Sequence, residues 1–244
     1  MKVTVVIPVI NEALSIARAV ELAWKAGADE VIVVDGGSSD STVEICQQTR
    51  CRVITSPAGR GIQLNAGAAE ATGDVLLFLH ADNWLVENSI QQIKSLDVNL
   101  DLLFGGFHQR IEHPGRIYRW IERGNAWRIR WRGLVYGDQA MFVSKSLFES
   151  AGGFRAIVLM EDLAFSQKLK TRHSNQPSRP RPQLLAGPTH VDARRWQAAG
   201  PIRQTLRNWM LSTAYLFGAD PLRLAERYGR HDDQHGECWV ESKD

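Results

Sequence analysis

Three apolar runs in the chain are followed at once by polar, chemistry-bearing residues: Asn11-Glu12 after Val3 to Ile10, Asp35-Gly36-Gly37-Ser38-Ser39-Asp40 at the end of a run from Glu30, and His80-Ala81-Asp82 after Val75 to Leu79. In an open parallel sheet, ligands bind just beyond the carboxyl ends of the strands, where these residues would stand. Each segment alone also reads as a turn or helix cap, because Asp, Asn, Ser and Gly serve both purposes. Three together point to a site. A carboxylate-rich edge repels a bare pyrophosphate, and the first run leads into PVINEA rather than into G-x-G-x-x-G. A divalent cation removes the conflict. Asp82 is the candidate ligand for Mg²⁺ or Mn²⁺, hard ions that take one or two carboxylates and leave other positions to phosphate oxygens.

The elements that must position these residues follow from the apolar pattern. Runs at Val3–Val9, Glu30–Asp35, Cys51–Thr55 and Asp74–Leu79 alternate with helix-length segments, which predicts β-α-β-α-β-α-β. Continuous rather than alternating apolar runs suit strands covered on both faces of a parallel sheet. Asn11 is the expected N-cap of the first helix and Gly27 its stop; Ser38 or Asp40 would cap a second helix through Gln48, and a third would cover 63–71. Beyond residue 100, strands are expected at Leu102–Phe107 and Ala140–Val143, and a helix at Glu161–Thr171. Residues 174–188 hold four prolines and read as a loop.

VTVVIPVINE, EVIVVDGGSSDST, the segment Arg60-Gly61-x-Gln63-x-Asn65-x-Gly67, LLFLHAD, Gly137-Asp138-Gln139 and Gly152-Gly153-Phe154 followed by Glu161-Asp162 resemble, in this order, the family 2 glycosyltransferases of GT-A fold. The resemblance spans roughly residues 3–196 and rests on order and spacing, each motif being weak alone. It implies one α/β domain with a mainly parallel sheet between helices. The implied reaction is inverting transfer from a nucleoside diphosphate sugar, with a divalent metal on the diphosphate. By the same resemblance Pro8, Asn11 and Glu12 would wall the nucleoside pocket, Asp35 would read the base edge, and Arg60 with Gln63 would lie by the nucleotide. Asp82 matches the last acid of the family's D-x-D motif across Ala81. His80 replaces the first acid, leaving open a direct role or a buried imidazole. Asp138 and Gln139 would face the donor sugar. In the Glu161-Asp162 pair the aspartate would be the general base, although carboxylates at a helix start also complement its dipole. Arg194 and Arg195, with His190 and Trp196 nearby, would close over the diphosphate and neutralise charge on the leaving group.

The 244 residues suit one domain of this size, read as a nucleotide-binding half over 1–100, an acceptor and catalytic half over 101–200, and a C-terminal helix and tail over 201–244. The first hundred residues carry 7 Lys or Arg against 12 Asp or Glu, so the net +2 of the chain conceals a basic second half. Much of that charge lies in Arg116–Arg132, with six arginines and three tryptophans around a Gly124-Asn125 expected to interrupt the helix. A core-facing aromatic stripe with arginines reaching outward fits this span; so do peripheral membrane contact and a phosphate-bearing or lipid-linked acceptor. A nucleic-acid-binding module would use the same residues but meets an acidic first half, and no nucleic acid is expected. A nucleotidyltransferase would want a glycine-rich phosphate loop after strand one. No apolar run approaches the roughly 18 residues of a membrane span, and Cys46, Cys51 and Cys238 fit no zinc or disulfide framework. Free thiols and a cytoplasmic address are expected.

Overall fold

The computed structural model describes residues 1–172 and 181–228. Cys238, the residues from 229 onward and residues 174–180 of the proline-rich segment lie outside them. One eight-stranded sheet organises the chain. Its strands are β1 (Val3–Val9), β2 (Glu30–Asp35), β3 (Arg52–Thr55), β4 (Val75–Phe78), β5 (Asn83–Leu85), β6 (Phe104–Ile111), β7 (Phe142–Ser144) and β8 (Gln183–Val191), in the order β3-β2-β1-β4-β7-β6-β8-β5. The first four strands run parallel, β7 is antiparallel to both of its neighbours, and β8 runs parallel to β6 and antiparallel to β5. The α/β class expected from the sequence is therefore present, with β7 marking the change from the parallel half to the mixed half.

Helices cover both faces: α1 (Ile16–Lys25), α2 (Thr42–Gln47), α3 (Arg60–Glu70), α4 (Ser89–Lys94), α5 (Arg116–Arg132), α6 (Lys145–Ala151), α7 (Glu161–Arg172), α8 (Arg194–Ala199), α9 (Pro201–Leu216) and α10 (Pro221–Tyr228). Alternate residues of β1 serve different cores, as the strand pleat requires. Val3, Val5, Ile7 and Val9 join one cluster with α1 and α4, while Val6 joins a second with α3, Phe148 and Phe165. α3 lies so close to the sheet that a Cβ on Gly67 would stand 2.3 Å from Val6 Cγ1. The glycine of the Asn65-x-Gly67 segment is thus a packing requirement.

Several boundaries differ from expectation. α1 begins at Ile16 behind Ser15, not at an Asn11 cap. α2 starts behind Ser41, which makes no side-chain capping bond, and not behind Ser38 or Asp40, although Asp40 Oδ1 accepts from Thr42 N at 3.0 Å. Residues 183–188 belong to β8 despite Pro188, because Phe107 and Leu184 to Leu185 place them in the sheet beside β6. α5 runs unbroken through Gly124-Asn125, and Trp120, Trp127 and Trp131 are exposed rather than turned to the core. Its inward face is Tyr118, Ile121, Asn125, Ala126 and Ile129. Cys46 and Cys51 are free thiols. Among the described residues no helix is long and apolar enough to cross a membrane.

Candidate functional site

The carboxyl ends of β1 and β4 open into a cleft of about 930 Å³, closed on the far side by α5, α8 and α9. Asn11, Glu12, Arg60, His80, Ala81, Asp82, Asp138, Asp162, Arg194 and Arg195 all line it. Pro8, Asp35, Gln63, Gln139 and Glu161 stand behind the lining.

Two loops are laced together at one end. Asn11, held at a left-handed φ of 53°, accepts at Oδ1 from the backbone N–H groups of Ser39 (2.7 Å) and Asp40 (3.2 Å). The Asn11 N–H donates to Ser38 Oγ, which donates to Asp35 at 2.5 Å. Buried Asp35 also accepts from Gly37 N and Ser38 N, so its carboxylate shapes this turn. Gln63 ties the strand ends beneath it, its amide donating to Val9 O and Val34 O at 2.9 Å each.

On the floor, Asp82 projects from the segment after β4, and its carboxylate has no hydrogen bond from the described residues. Among those residues no three His, Cys, Asp or Glu side chains gather as a metal cluster. A single open carboxylate facing a cavity fits a hard cation whose other positions go to a ligand's phosphates and to water. His80 is kept well below the ordinary imidazole range by burial first and then by the charges of Arg60 and Arg195. It is a neutral wall residue. A Cβ on Gly137 would come within 2.8 Å of His80 Nε2 and 3.2 Å of Asp162 Oδ2, so that glycine lets both side chains approach its backbone.

The two carboxylates that open α7 part company here. Glu161 is 2% exposed and pairs with Arg60 at 3.2 Å. Burial raises its pKa against the pull of Arg60, while Arg60, held more firmly protonated by Glu161, keeps 42% of its side-chain surface accessible within the cleft. Asp162 faces the cavity, and Gly137 N donates to its Oδ2 at 2.5 Å. Met160, just before the pair, has φ of 70°, a strained value for a side chain of its type. With Asn11 and Ala140 (φ 46°), it concentrates left-handed non-glycine backbone around the cleft.

The far wall contains a polar cluster that the motifs only partly announce. Gln109 donates to Asp138 Oδ2 at 2.8 Å and accepts from Asn125 at 2.6 Å. Arg128 lies 3.6 Å over the Tyr136 ring, and Gln139 Oε1 accepts from Tyr136 N. Asp138 Oδ1, Gln139 Nε2 and Arg128 Nε are buried without hydrogen-bond partners among the described residues, and burial raises the Asp138 pKa while the charge of Arg128 opposes it. Arg128 and Asn125 escaped the sequence reading because the Arg/Trp span reads as one surface; their three-residue spacing beside Ile121 and Ile129 was the available signal. Arg194 pairs with Asp192 at 2.8 Å. His190 is outside the lining, stacked on Trp84 at 5.4 Å and bonded to Glu112, so it supports the wall through Trp84.

Residues 4–157 match the model of the Glycosyl transferase family 2. The chain belongs to that family. Among curated relatives, it is 29% identical over 132 residues to glycosyltransferase GlyG of Streptococcus pneumoniae serotype 4, covering 49% of this chain and 43% of GlyG. It is 31% identical over 136 residues to the uncharacterized glycosyltransferase Rv0539 of Mycobacterium tuberculosis, covering 53% and 60%. The chain thus spans about two to three fifths of the length of these relatives. In three dimensions it is similar to S. aureus TarS 1-349 in complex with UDP-GlcNAc, with a TM-score of 0.60 at 18% identity over 96% of this chain and 73% of that one. Glucosyl-3-phosphoglycerate synthase from Mycobacterium tuberculosis in complex with phosphoglyceric acid gives 0.50 at 18% identity, covering 78% and 70%. At these identities the likeness establishes the shared fold.

Proposed function

We propose that the chain transfers a sugar, with inversion, from a nucleoside diphosphate sugar to an acceptor hydroxyl, with Asp162 as general base. The observation that carries this reading is the divergence of the two adjacent carboxylates: Asp162 opens to the cleft that holds Asp82, Arg194 and Arg195, whereas Glu161 is sequestered by Arg60. The acceptor oxygen forms its bond to the anomeric carbon as its proton passes to an Asp162 carboxylate oxygen. The bond from that carbon to the diphosphate breaks, and its electron pair leaves with the nucleoside diphosphate. Gly137 N–H fixes the base, Arg195 and Arg194 favour the departing charge, and neutral His80 adds no competing cation. A Mg²⁺ or Mn²⁺ at Asp82 would supply charge neutralisation on the diphosphate.

The donor side is assigned to 1–100, through the Asn11–Glu12 and Asp35–Asp40 loops. The acceptor side is assigned to 101–200 together with α9. TarS bound to UDP-GlcNAc on the same fold supports a nucleotide-sugar donor. The test is release of nucleoside diphosphate from UDP-, GDP- and dTDP-sugars in Mg²⁺ or Mn²⁺, with water as the acceptor. Asp162→Asn should lower turnover by about 10² to 10⁴-fold with donor affinity retained, and Glu161→Gln should cost less turnover. Near wild-type turnover in Asp162→Asn would overturn the assignment.

A further inference from the structure

The outer side of the cleft wall carries a surface that sugar transfer does not use. On α5, Arg116, Trp120, Arg123, Trp127 and Arg130 succeed one another at steps of four, three, four and three residues, which places them on one helical face. Trp120 is 67%, Trp127 59% and Trp131 75% exposed; Trp127 and Trp131 stack at 5.0 Å. α9 lies alongside, with Trp209 nearest to Gly124. It adds exposed Ile202, Leu206 and Met210. An apolar face of this extent on a described surface marks an interaction site.

Its charge is of one sign. Glu122, the sole carboxylate of α5, turns inward to accept from Ile111 N and pair with Arg119, and α9 has no Asp or Glu. A second copy packed two-fold on this face would set the same arginines against each other. An anionic surface complements them. Aliphatic Ile202, Leu206 and Met210 in the same patch suit acyl chains better than a stacked polynucleotide.

We infer that α5 and α9 seat the protein on an anionic lipid bilayer, with the indoles at headgroup level and Arg116, Arg123 and Arg130 on lipid phosphates. Trp209 belongs to both this face and the cleft lining, so the seated protein holds its cleft beside the interface. The inference stands apart from the transfer reading, because binding is measured without donor or acceptor. The experiment is co-sedimentation of the full chain with vesicles of phosphatidylcholine, alone or mixed with phosphatidylglycerol, together with tryptophan emission. Binding should require phosphatidylglycerol, shift the emission to the blue and weaken with salt. Arg116→Gln/Arg123→Gln/Arg130→Gln should lower partitioning by about 10²-fold, roughly fivefold for each charge. Trp127→Ala/Trp131→Ala should lower it by about tenfold or more. Both sets are exposed, so unchanged circular dichroism verifies folding. No partitioning into anionic vesicles at low salt, equal partitioning of the variants, a dimer abolished by the Trp variant, or tighter retention on single-stranded DNA than on vesicles would each overturn the inference.

Discussion

Glu161 and Asp162 share a peptide bond but not an environment, since successive helical residues project about 100° apart. One meets Arg60 in the protein interior and the other meets the cleft. At Asp82 the environment is the open cavity. Asp82→Asn is expected to abolish Mn²⁺-dependent nucleotide binding in calorimetry while the protein melts nearly as before; metal-independent binding of equal strength would refute the metal role. Asp35 differs again. With three donors from Gly37 and Ser38 on its oxygens, Asp35→Ala should lower stability by about 1 to 3 kcal/mol and weaken nucleoside diphosphate binding together, through the loop that holds Asn11. Loss of binding at unchanged melting temperature would instead mark Asp35 as a pure contact to the base.

At the scale of elements, the one-turn 3₁₀ helix Gly137–Gln139 fixes distances between strands and α7. Gly137→Ala introduces a Cβ between His80 Nε2 and Asp162 Oδ2, so turnover should fall by at least about tenfold, with donor affinity changed less; a kinetic comparison with wild type checks this. Such placements explain what the sequence could and could not disclose. β1, β2, β4 and their polar ends were legible because buried parallel strands write unbroken apolar runs and because site residues follow them immediately. β5 and β8 were not. β5 has three residues, and β8 contains Pro188 and mostly half-buried positions, leaving no period to read. The interruption expected at Gly124-Asn125 failed because tertiary contacts outweigh helix propensity: Asn125 satisfies its amide on Gln109 inside the fold. The Arg128 contribution was hidden among five other arginines of the same helix, whose orientation only the fold decides.

For the whole molecule, two imidazoles are among the groups through which pH bears on folding. Burial and neighbouring arginines lower His80, and burial, then Arg130, lowers His108. Below about pH 6.5 the unfolded chain takes up these protons and the folded protein does not. Stability therefore falls as pH drops through that range, and above it this contribution vanishes. Asp138 and Glu161, raised by burial, act with the opposite sign, so the informative measurement is a difference. His108→Gln should reduce the decline in melting temperature between about pH 7.5 and 5.5; an unaltered slope would exclude His108 as a contributor. The order of the sheet reaches further, into how the chain is made. Among the described residues β5 pairs only with β8, and β6 is flanked by β7 and β8, so a nascent chain that has emerged as far as residue 157 holds the whole family-matched segment but has β6 as a raw edge and β5 without that neighbour. Such an intermediate is open to edge-to-edge aggregation. Synthesis through Val191 is what seals it, and a fragment ending at residue 157 should be recovered as aggregate where the full chain is recovered as folded protein.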